Sequence, residues 1–179
     1  MIYLFLANGF EEVEALSPLD VLRRAGQEVC TVGVGSRTIV GSHGVPILCD
    51  TQLSELPDAL PDSVILPGGM PGTKHLDENA DVRRIVQDVF TQDGLVCAIC
   101  AAPSVLGHIG LLRGKEATCF PGFETELDGA RLSAEYVCRD GNVITARGAG
   151  VALDFGFAIA AALCGEETAE KLRRSMQCR

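Results

Sequence analysis

A single cysteine stands at the end of an apolar segment that predicts a buried strand. In "GLVCAICAAPSVLG" the apolar run ends on Cys100, and Ala101, Ala102 and Pro103 then favour the start of a helix. The thiol is either an ordinary packed cysteine at a tight corner or a nucleophile held at that corner. In the second case the unpaired N–H groups of the first helical turn stabilise a thiolate, and we expect the pKa of Cys100 to be lowered.

Two other predicted strand ends carry residues that fit the same chemistry. Gly68 and Gly69 of "LPGGMPG" either make a tight turn or expose a backbone N–H group to an oxyanion. Glu14 lies among apolar residues just after the first strand, so we expect it to point inward. A carboxyl desolvated beside a thiolate has a raised pKa and carries a transferable proton. Glu11 and Glu12 are interpreted as solvated acids in the first turn of a helix.

Other pairings of cysteine and histidine are less favoured by the sequence. Cys97 and Cys100 form a C-x-x-C pair, but a strand would hold Cys97 in the core, which argues against dithiol exchange. A zinc site needs further cysteine or histidine at paired spacing, and none is present. We expect His43 at the tip of a hairpin, His75 at the surface and His108 at a helix end, so no Cys–His pair is indicated.

The elements that position these residues alternate between strands and helices. Short apolar strands that alternate with helices predict a mostly parallel sheet covered on both faces, which is a doubly wound α/β fold. Ligand sites in such sheets form outside the carboxyl ends of the strands, so Glu14, Gly69 and Cys100 are expected to converge. The predicted strands are "MIYLFLA", "EVCTVGV", "SVILPGG" and "GLVCAI", and the predicted hairpins are "TIVGSHGVPILCD" and "EYVCRDGNVITA". The predicted helices are Glu11 to Ala25 with a kink or break at Pro18, about Asn79 to Gln92, a helix after Cys100, "GVALDFGFAIAAALCG", and a short "ETAEKLRR".

Composition and net charge restrict the classes of protein to which the chain can belong. The 179 residues are 47% hydrophobic and 22% charged, which predicts one globular domain over residues 1–179. A net charge of −9 without a cluster of Lys or Arg argues against nucleic acid and anionic membranes as partners. The first apolar run is too short to span a membrane and meets Glu11 almost at once. With no export signal, the eight cysteines are expected to be free thiols in a cytoplasmic protein.

Four segments together resemble the ThiJ/PfpI superfamily, in the branch of the Parkinson's-disease-associated protein and its short bacterial relatives. They are "ANGFEEVEALSPLDVLRRAG", "VILPGGMPG", "AICAAPSVLG" and "ARGAGVALDFGFAI". The resemblance implies a flavodoxin-like domain that forms a homodimer, needs no cofactor and holds a reactive cysteine on a nucleophile elbow. It makes Cys100 that cysteine, Glu14 its protonated carboxyl partner, and Gly69 and Ala101 the backbone donors beside the thiol.

The resemblance also implies a function and shows two departures. The family's reported activities are cofactor-free conversion of methylglyoxal to lactate, repair of early glycation adducts, and oxidative-stress protection through cysteine oxidation. Ala101 stands where the protease-like branch has histidine, which argues against a Cys-His peptidase. Phe120 stands where a pocket histidine is expected, so one proton-handling group is missing. Arg24 and Arg147 match positions near the dimer contact.

Two functions follow from these observations. One is an enzyme that acts on small reactive carbonyls through Cys100. The other is a redox sensor or a stress-protective, chaperone-like protein with little catalytic turnover. Lactate production from methylglyoxal distinguishes the two.

Overall fold

A seven-stranded sheet organises the chain in the computed structural model, which describes residues 1–178. The strand order is β10-β11-β7-β6-β1-β2-β5, and every neighbouring pair is parallel except β10 with β11. These strands are β1 (Ile2–Leu6), β2 (Val29–Gly33), β5 (Thr51–Gln52), β6 (Ser63–Leu66), β7 (Leu95–Ile99), β10 (Val137–Asp140) and β11 (Val143–Ala146). Two small separate pairs are β3 (Thr38–Val40) with β4 (Pro46–Leu48), and β8 (Glu116–Ala117) with β9 (Arg131–Leu132).

Helices cover both faces of this sheet. They are α1 (Glu12–Arg24), α2 (Gly72–Glu78), α3 (Ala80–Thr91), α4 (Pro103–His108), α5 (Ala152–Cys164) and α6 (Glu166–Ser175). Residues of α1, α5 and α6 belong to one core cluster, and residues of α2, α3 and α4 belong to the other. Among residues 1–178 no helix combines the length and the apolarity that crossing a bilayer requires.

Strand β1 is apolar throughout because both of its faces are buried. Leu4 and Leu6 point into one core, whereas Tyr3 and Phe5 point into the other. Because successive side chains of a strand face opposite sides, a central strand of a covered sheet has no solvent face. The predicted flavodoxin-like, doubly wound fold is confirmed.

Two helix predictions need correction. Helix α1 runs without interruption through Pro18, so of the predicted kink or break, the break is wrong. Pro18 is buried, and a Cβ atom on Gly156 of α5 would lie 3.0 Å from the Pro18 Cα atom, so close helix packing holds this turn. Helix α2 was not predicted, because Pro71 and Gly72 indicate a turn. The Asn79 side chain accepts hydrogen bonds from the N–H groups of Asp81 and Val82, which starts α3 as a separate helix.

The hairpin β3–β4 turns around His43 as predicted, and it is anchored to α1. Glu12 Oε1 accepts a hydrogen bond from the His43 N–H group at 2.8 Å, and His43 Nδ1 lies 2.8 Å from Glu12 Oε2. Glu12 is only 8% exposed, so its predicted solvated role is wrong. Burial alone would raise the pKa of Glu12, but hydrogen bonds from His43 and Val45 outweigh it and hold the pKa at about 2. The His43 side chain itself remains exposed.

Candidate active site

Cys100 lies on a sharp turn between β7 and α4. Its φ angle is +65°, in the left-handed region, which costs a residue with a side chain about 1–2 kcal/mol. Two backbone hydrogen bonds hold the residue in that conformation. The Cys100 N–H group donates to the Ala146 carbonyl at 2.9 Å, and the Cys100 carbonyl accepts from the Phe120 N–H group at 2.8 Å. The thiol is therefore fixed at the carboxyl edge of the sheet, on a nucleophile elbow.

The loop after β6 approaches the elbow too closely for a side chain. A Cβ atom on Gly68 would lie 2.5 Å from Glu14 Oε2 and 2.6 Å from the Cys100 Cβ atom. Hydrogen bonds fix this loop at both ends, from the Glu11 N–H group to the Gly68 carbonyl and from the Thr73 N–H group to the Gly69 carbonyl, each at 2.9 Å. The glycine pair thus allows close approach of the loop to the site, in addition to making a turn.

Glu14 points inward from the first turn of α1. It is 1% exposed, and its Oε2 atom accepts a hydrogen bond from the Gly68 N–H group at 3.0 Å. It also hydrogen-bonds to the Cys100 thiol and to the Ala149 N–H group. Burial raises the pKa of Glu14 to about 7, against the lowering effect of these hydrogen bonds. A substantial fraction of the Glu14 side chains therefore carries a proton at neutral pH.

The pKa of the Cys100 thiol is raised, so the predicted lowering is wrong. Burial is the largest cause and the Glu14 carboxylate is the second, and together they raise the pKa of Cys100 to about 12. The N–H groups of Gly69 and Ala101 act in the opposite direction. Two buried acids in contact resist carrying two charges. A thiolate with two backbone donors is therefore favoured only when Glu14 keeps the proton.

The structure brings the four predicted site residues together and leaves the other candidates outside. Cys97 is fully buried in β7, and burial raises its pKa, so it is not placed for dithiol exchange. His75 Nδ1 lies 3.0 Å from the Asn8 carbonyl oxygen, and His108 lies between two carboxylates. Within residues 1–178 the hydrogen bonds of the three histidines go to groups other than the Cys100 thiol.

The rim of the site contains residues that the sequence indicated only in part. Phe120 is 47% exposed, and a Cβ atom on Gly148 would lie 3.2 Å from its ring and 3.7 Å from Glu14 Oε1. Phe120 is thus an apolar wall where a histidine would carry a proton. The roles of Gly148 and Ala149 beside Glu14 were missed, although Gly-Ala-Gly after a predicted strand was a signal for close approach.

One cluster has the composition of a metal site. Glu11, Glu12 and His43 place possible ligand atoms within 4.8 Å of one another. Glu12 already accepts the hydrogen bonds that anchor the hairpin, and Glu11 accepts from the Glu14 N–H group at 2.7 Å. These bonds account for the cluster as a structural feature.

A doubly wound sheet with a thiol on its strand-to-helix turn and a buried carboxyl beside it defines a class of flavodoxin-like proteins with a cysteine at the carboxyl edge of the sheet. The chain belongs to the DJ-1/PfpI family, whose model matches residues 1–162. The resemblance drawn from its four sequence segments is thereby confirmed.

Three relatives show how closely the chain follows that family. Protein dj-1beta of Drosophila melanogaster is 37% identical over 174 residues, which cover 96% of this chain and 93% of that protein. A deglycase of Pyrococcus horikoshii is 34% identical over 149 residues, covering 80% of this chain and 88% of that protein. The solved structure of oxidized Toxoplasma gondii DJ-1 has a TM-score of 0.95 at 30% identity, over 99% of this chain and 97% of that one.

The raised pKa of Glu14 predicts a pH dependence of stability. A carboxyl whose pKa rises on folding, here from 4.5 to about 7, stabilises the native state below the lower value and loses that effect as pH rises through the higher one. Relative to Glu14→Gln, the wild type should lose up to about 3 kcal/mol of unfolding free energy between about pH 4 and pH 8. Urea titrations at several pH values measure this difference. Glu167→Gln, at an exposed position of α6, is the control, and an equal pH profile for wild type and Glu14→Gln would contradict the assignment.

Proposed function

We propose that this protein is a cofactor-free enzyme that uses Cys100 to act on small reactive carbonyls, either converting methylglyoxal to lactate or removing its early adducts from amines. The observation that carries the proposal is the buried Glu14 carboxyl, hydrogen-bonded to a thiol that also faces two backbone N–H groups. The deglycase name of the Pyrococcus relative supports the same class of substrate.

The first step would be addition of the thiol to the aldehyde carbon of methylglyoxal. The thiolate sulfur forms a bond to that carbon, the carbonyl electron pair moves to oxygen, and this oxygen takes the proton from Glu14, giving a hemithioacetal and a Glu14 carboxylate. The N–H groups of Gly69 and Ala101 stabilise the developing oxyanion. Neither donor titrates, so they support the anion at any working pH.

The remaining steps move one proton and add one water. Glu14, as a carboxylate at this stage, takes the proton from the former aldehyde carbon and returns it to the neighbouring carbon through an enediol. The product is a lactoyl thioester on Cys100, which water cleaves to lactate and free thiol. The conversion of methylglyoxal and water to lactate involves no net oxidation or reduction, so it requires no redox cofactor. Because Phe120 carries no proton, Glu14 would handle both transfers, which would limit the rate.

Lactate formation tests this proposal directly. Purified protein incubated with methylglyoxal should make lactate, and Cys100→Ser should abolish it because the nucleophile is lost. Glu14→Gln should lower kcat by about a hundredfold or more, because the proton carrier is lost. Enzymatic assay of lactate gives the rates.

The matched control is Cys97→Ser, because Cys97 is the neighbouring thiol of the C-x-x-C pair and lies outside the site. It should retain turnover if its far-ultraviolet circular dichroism matches the wild type. Lactate production no higher than in Cys100→Ser would overturn the enzymatic proposal.

A redox-sensing role is the second candidate, and the environment of Cys100 favours it. Cys100 is partly exposed, and the same N–H donors that would hold an oxyanion would hold the oxygens of an oxidised sulfur. Protonated Glu14 offers a third donor. The Toxoplasma relative has been solved in an oxidized form.

Graded peroxide treatment should oxidise Cys100 first and stop at the sulfinic acid. Each added oxygen consumes one peroxide, which is reduced to water. Cys97 is fully buried, whereas Cys30 in β2 and Cys164 at the end of α5 are partly exposed but lie away from these donors. A donor to a charged group is worth roughly 1.5–3 kcal/mol, so Glu14→Leu should change the end point.

Peptide mass spectrometry locates the added oxygens. Two oxygens on the Cys100 peptide before any other cysteine reacts is the expected result. A Cys97–Cys100 disulfide forming first would refute this prediction and favour dithiol chemistry.

We also propose that the protein acts as a homodimer in the cytoplasm. All eight cysteines are free thiols, which fits a reducing compartment. Val13 of α1 is 48% exposed, and on the hairpin docked on that helix Val45 is 45% and Leu48 is 72% exposed. A second copy covering this apolar surface would also close the crevice near Glu14. Arg24 and Arg147, expected near the contact, have partners within the chain in Asp20 and Thr118.

Sedimentation at micromolar concentration tests the dimer. The wild type should sediment at about twice the 18.9 kDa of one chain, and Leu48→Asp should shift it to the monomer because a charge would be buried in the contact. Leu132→Asp is the control, since Leu132 is 58% exposed away from the hairpin. A single wild-type species near 18.9 kDa would contradict the proposal.

A further inference from the structure

A second cleft is lined by residues next to those of the Cys100 site. It has a volume of about 230 Å³ and lies between α2, α4 and the segment 122–126. Met70, on its edge, directly follows Gly69 in the chain. Ser104, on its α4 side, donates a hydrogen bond to the Ala101 carbonyl at 2.7 Å. The two residues whose N–H groups face the thiol are therefore linked to the walls of this cleft.

Two buried oxygens on the cleft have no hydrogen-bond partner among residues 1–178. The Thr73 side chain is 3% exposed, and its Oγ1 atom is unpaired. Asp77 uses Oδ2 to contact His108 Nδ1 at 2.8 Å, but its buried Oδ1 atom is unpaired. The only other such atom in the described chain is Ser63 Oγ, at the opposite end of the sheet. Since buried polar groups are normally paired, this concentration at one cleft points to a ligand.

The charged side chains around the cleft are paired with one another. His108 Nε2 lies 2.8 Å from Glu126 Oε2, and with Asp77 on its other nitrogen the ring is held between two carboxylates. The hydrogen bond to Glu126, followed by that to Asp77, raises the pKa of His108. Lys74 lies 3.7 Å from Glu78 on the exposed side of α2. With His108 protonated, these five side chains carry an excess of one negative charge, which disfavours an anion and suits hydroxyl groups that donate to carboxylate oxygens.

The remaining walls are apolar. Met70 is 54% exposed, and Phe123 is partly buried beside it. Carbon-bound hydrogens of a hydroxylated chain pack against such surfaces, while its hydroxyl groups pair with polar atoms on the other side. The cleft therefore combines the two surfaces that a sugar-like chain requires.

We propose that this cleft binds the hydroxylated tail of a six-carbon, sugar-derived 2-oxoaldehyde whose carbonyl end lies at Cys100. This rests on the proposed function and names a larger substrate for it. The Thr73 N–H group donates to the Gly69 carbonyl at 2.9 Å, and the Ser104 hydroxyl donates to the Ala101 carbonyl at 2.7 Å, so residues of the cleft contact both residues whose N–H groups face the thiol. A few carbon–carbon bonds cover such distances, whereas three-carbon methylglyoxal ends at the first site. Thr73 is then a residue that determines specificity.

Thr73→Val tests the proposal with little risk to the fold, because it removes a hydroxyl that has no partner. The KM for 3-deoxyglucosone, which has hydroxyl groups on its last three carbons, should rise by about three- to tenfold, the effect of one lost hydrogen bond. The kcat for that substrate and both constants for methylglyoxal should change by less than about twofold. Ser63→Ala removes the matching buried hydroxyl far from the site and should leave both substrates unaffected.

Every outcome decides between the alternatives. If wild type turns over methylglyoxal but not 3-deoxyglucosone, or if Thr73→Val changes neither substrate or both equally, the cleft proposal is overturned and the proposed function stands. If wild type turns over neither substrate, the proposed function fails, and the cleft is judged by binding alone. The carbonyl-free alcohol 3-deoxyhexitol is then titrated into ¹⁵N-labelled Cys100→Ser protein. Amide shifts at Thr73 and Phe123 that Thr73→Val abolishes support the cleft, and their absence overturns it.

Discussion

The contact between the Glu14 carboxyl and the Cys100 thiol sets the conditions that the surrounding structure meets. Both groups are acids, and Glu14 is almost completely removed from water. Because burial penalises the charged carboxylate, Glu14 retains its proton in a pH range where an exposed glutamate has lost its own. Gly68 makes the contact possible, since any side chain at that position would occupy the space between the two groups.

The groups that support the pair are backbone N–H groups, not basic side chains. Gly69 and Ala101 act on the thiol, while Gly68 and Ala149 act on the carboxyl. Backbone donors are fixed by the fold and hold no proton that can be lost, so the charge of the site depends on its two acids alone. Three segments far apart in the chain supply these donors, and the parallel sheet brings them together because its strand ends meet at one edge.

Local patterns predicted the strands, the turn at Cys100 and the inward direction of Glu14, since each depends on neighbouring residues. The predictions that were wrong concern residues whose environment is set by contacts distant in sequence. Glu12 is buried because it bonds to His43, 31 positions away, and the pKa of the Cys100 thiol is raised by burial and by a carboxylate from another element. Pro18 stays within a helix because α5 packs against it, which overrides its intrinsic preference. The contacts of His108 with Asp77 and Glu126 also join residues distant in sequence, so the local pattern did not predict them.

Phe120 serves the site in two independent ways. Its backbone N–H group holds the carbonyl of Cys100, while its ring forms part of the rim beside Gly148. Only the first of these supports the elbow, and it is available to any residue except proline. The side chain at position 120 can therefore be changed while the backbone hydrogen bond that holds the elbow is kept. Protein engineers can vary residue 120 to alter substrate range or proton supply without rebuilding the turn that presents the thiol.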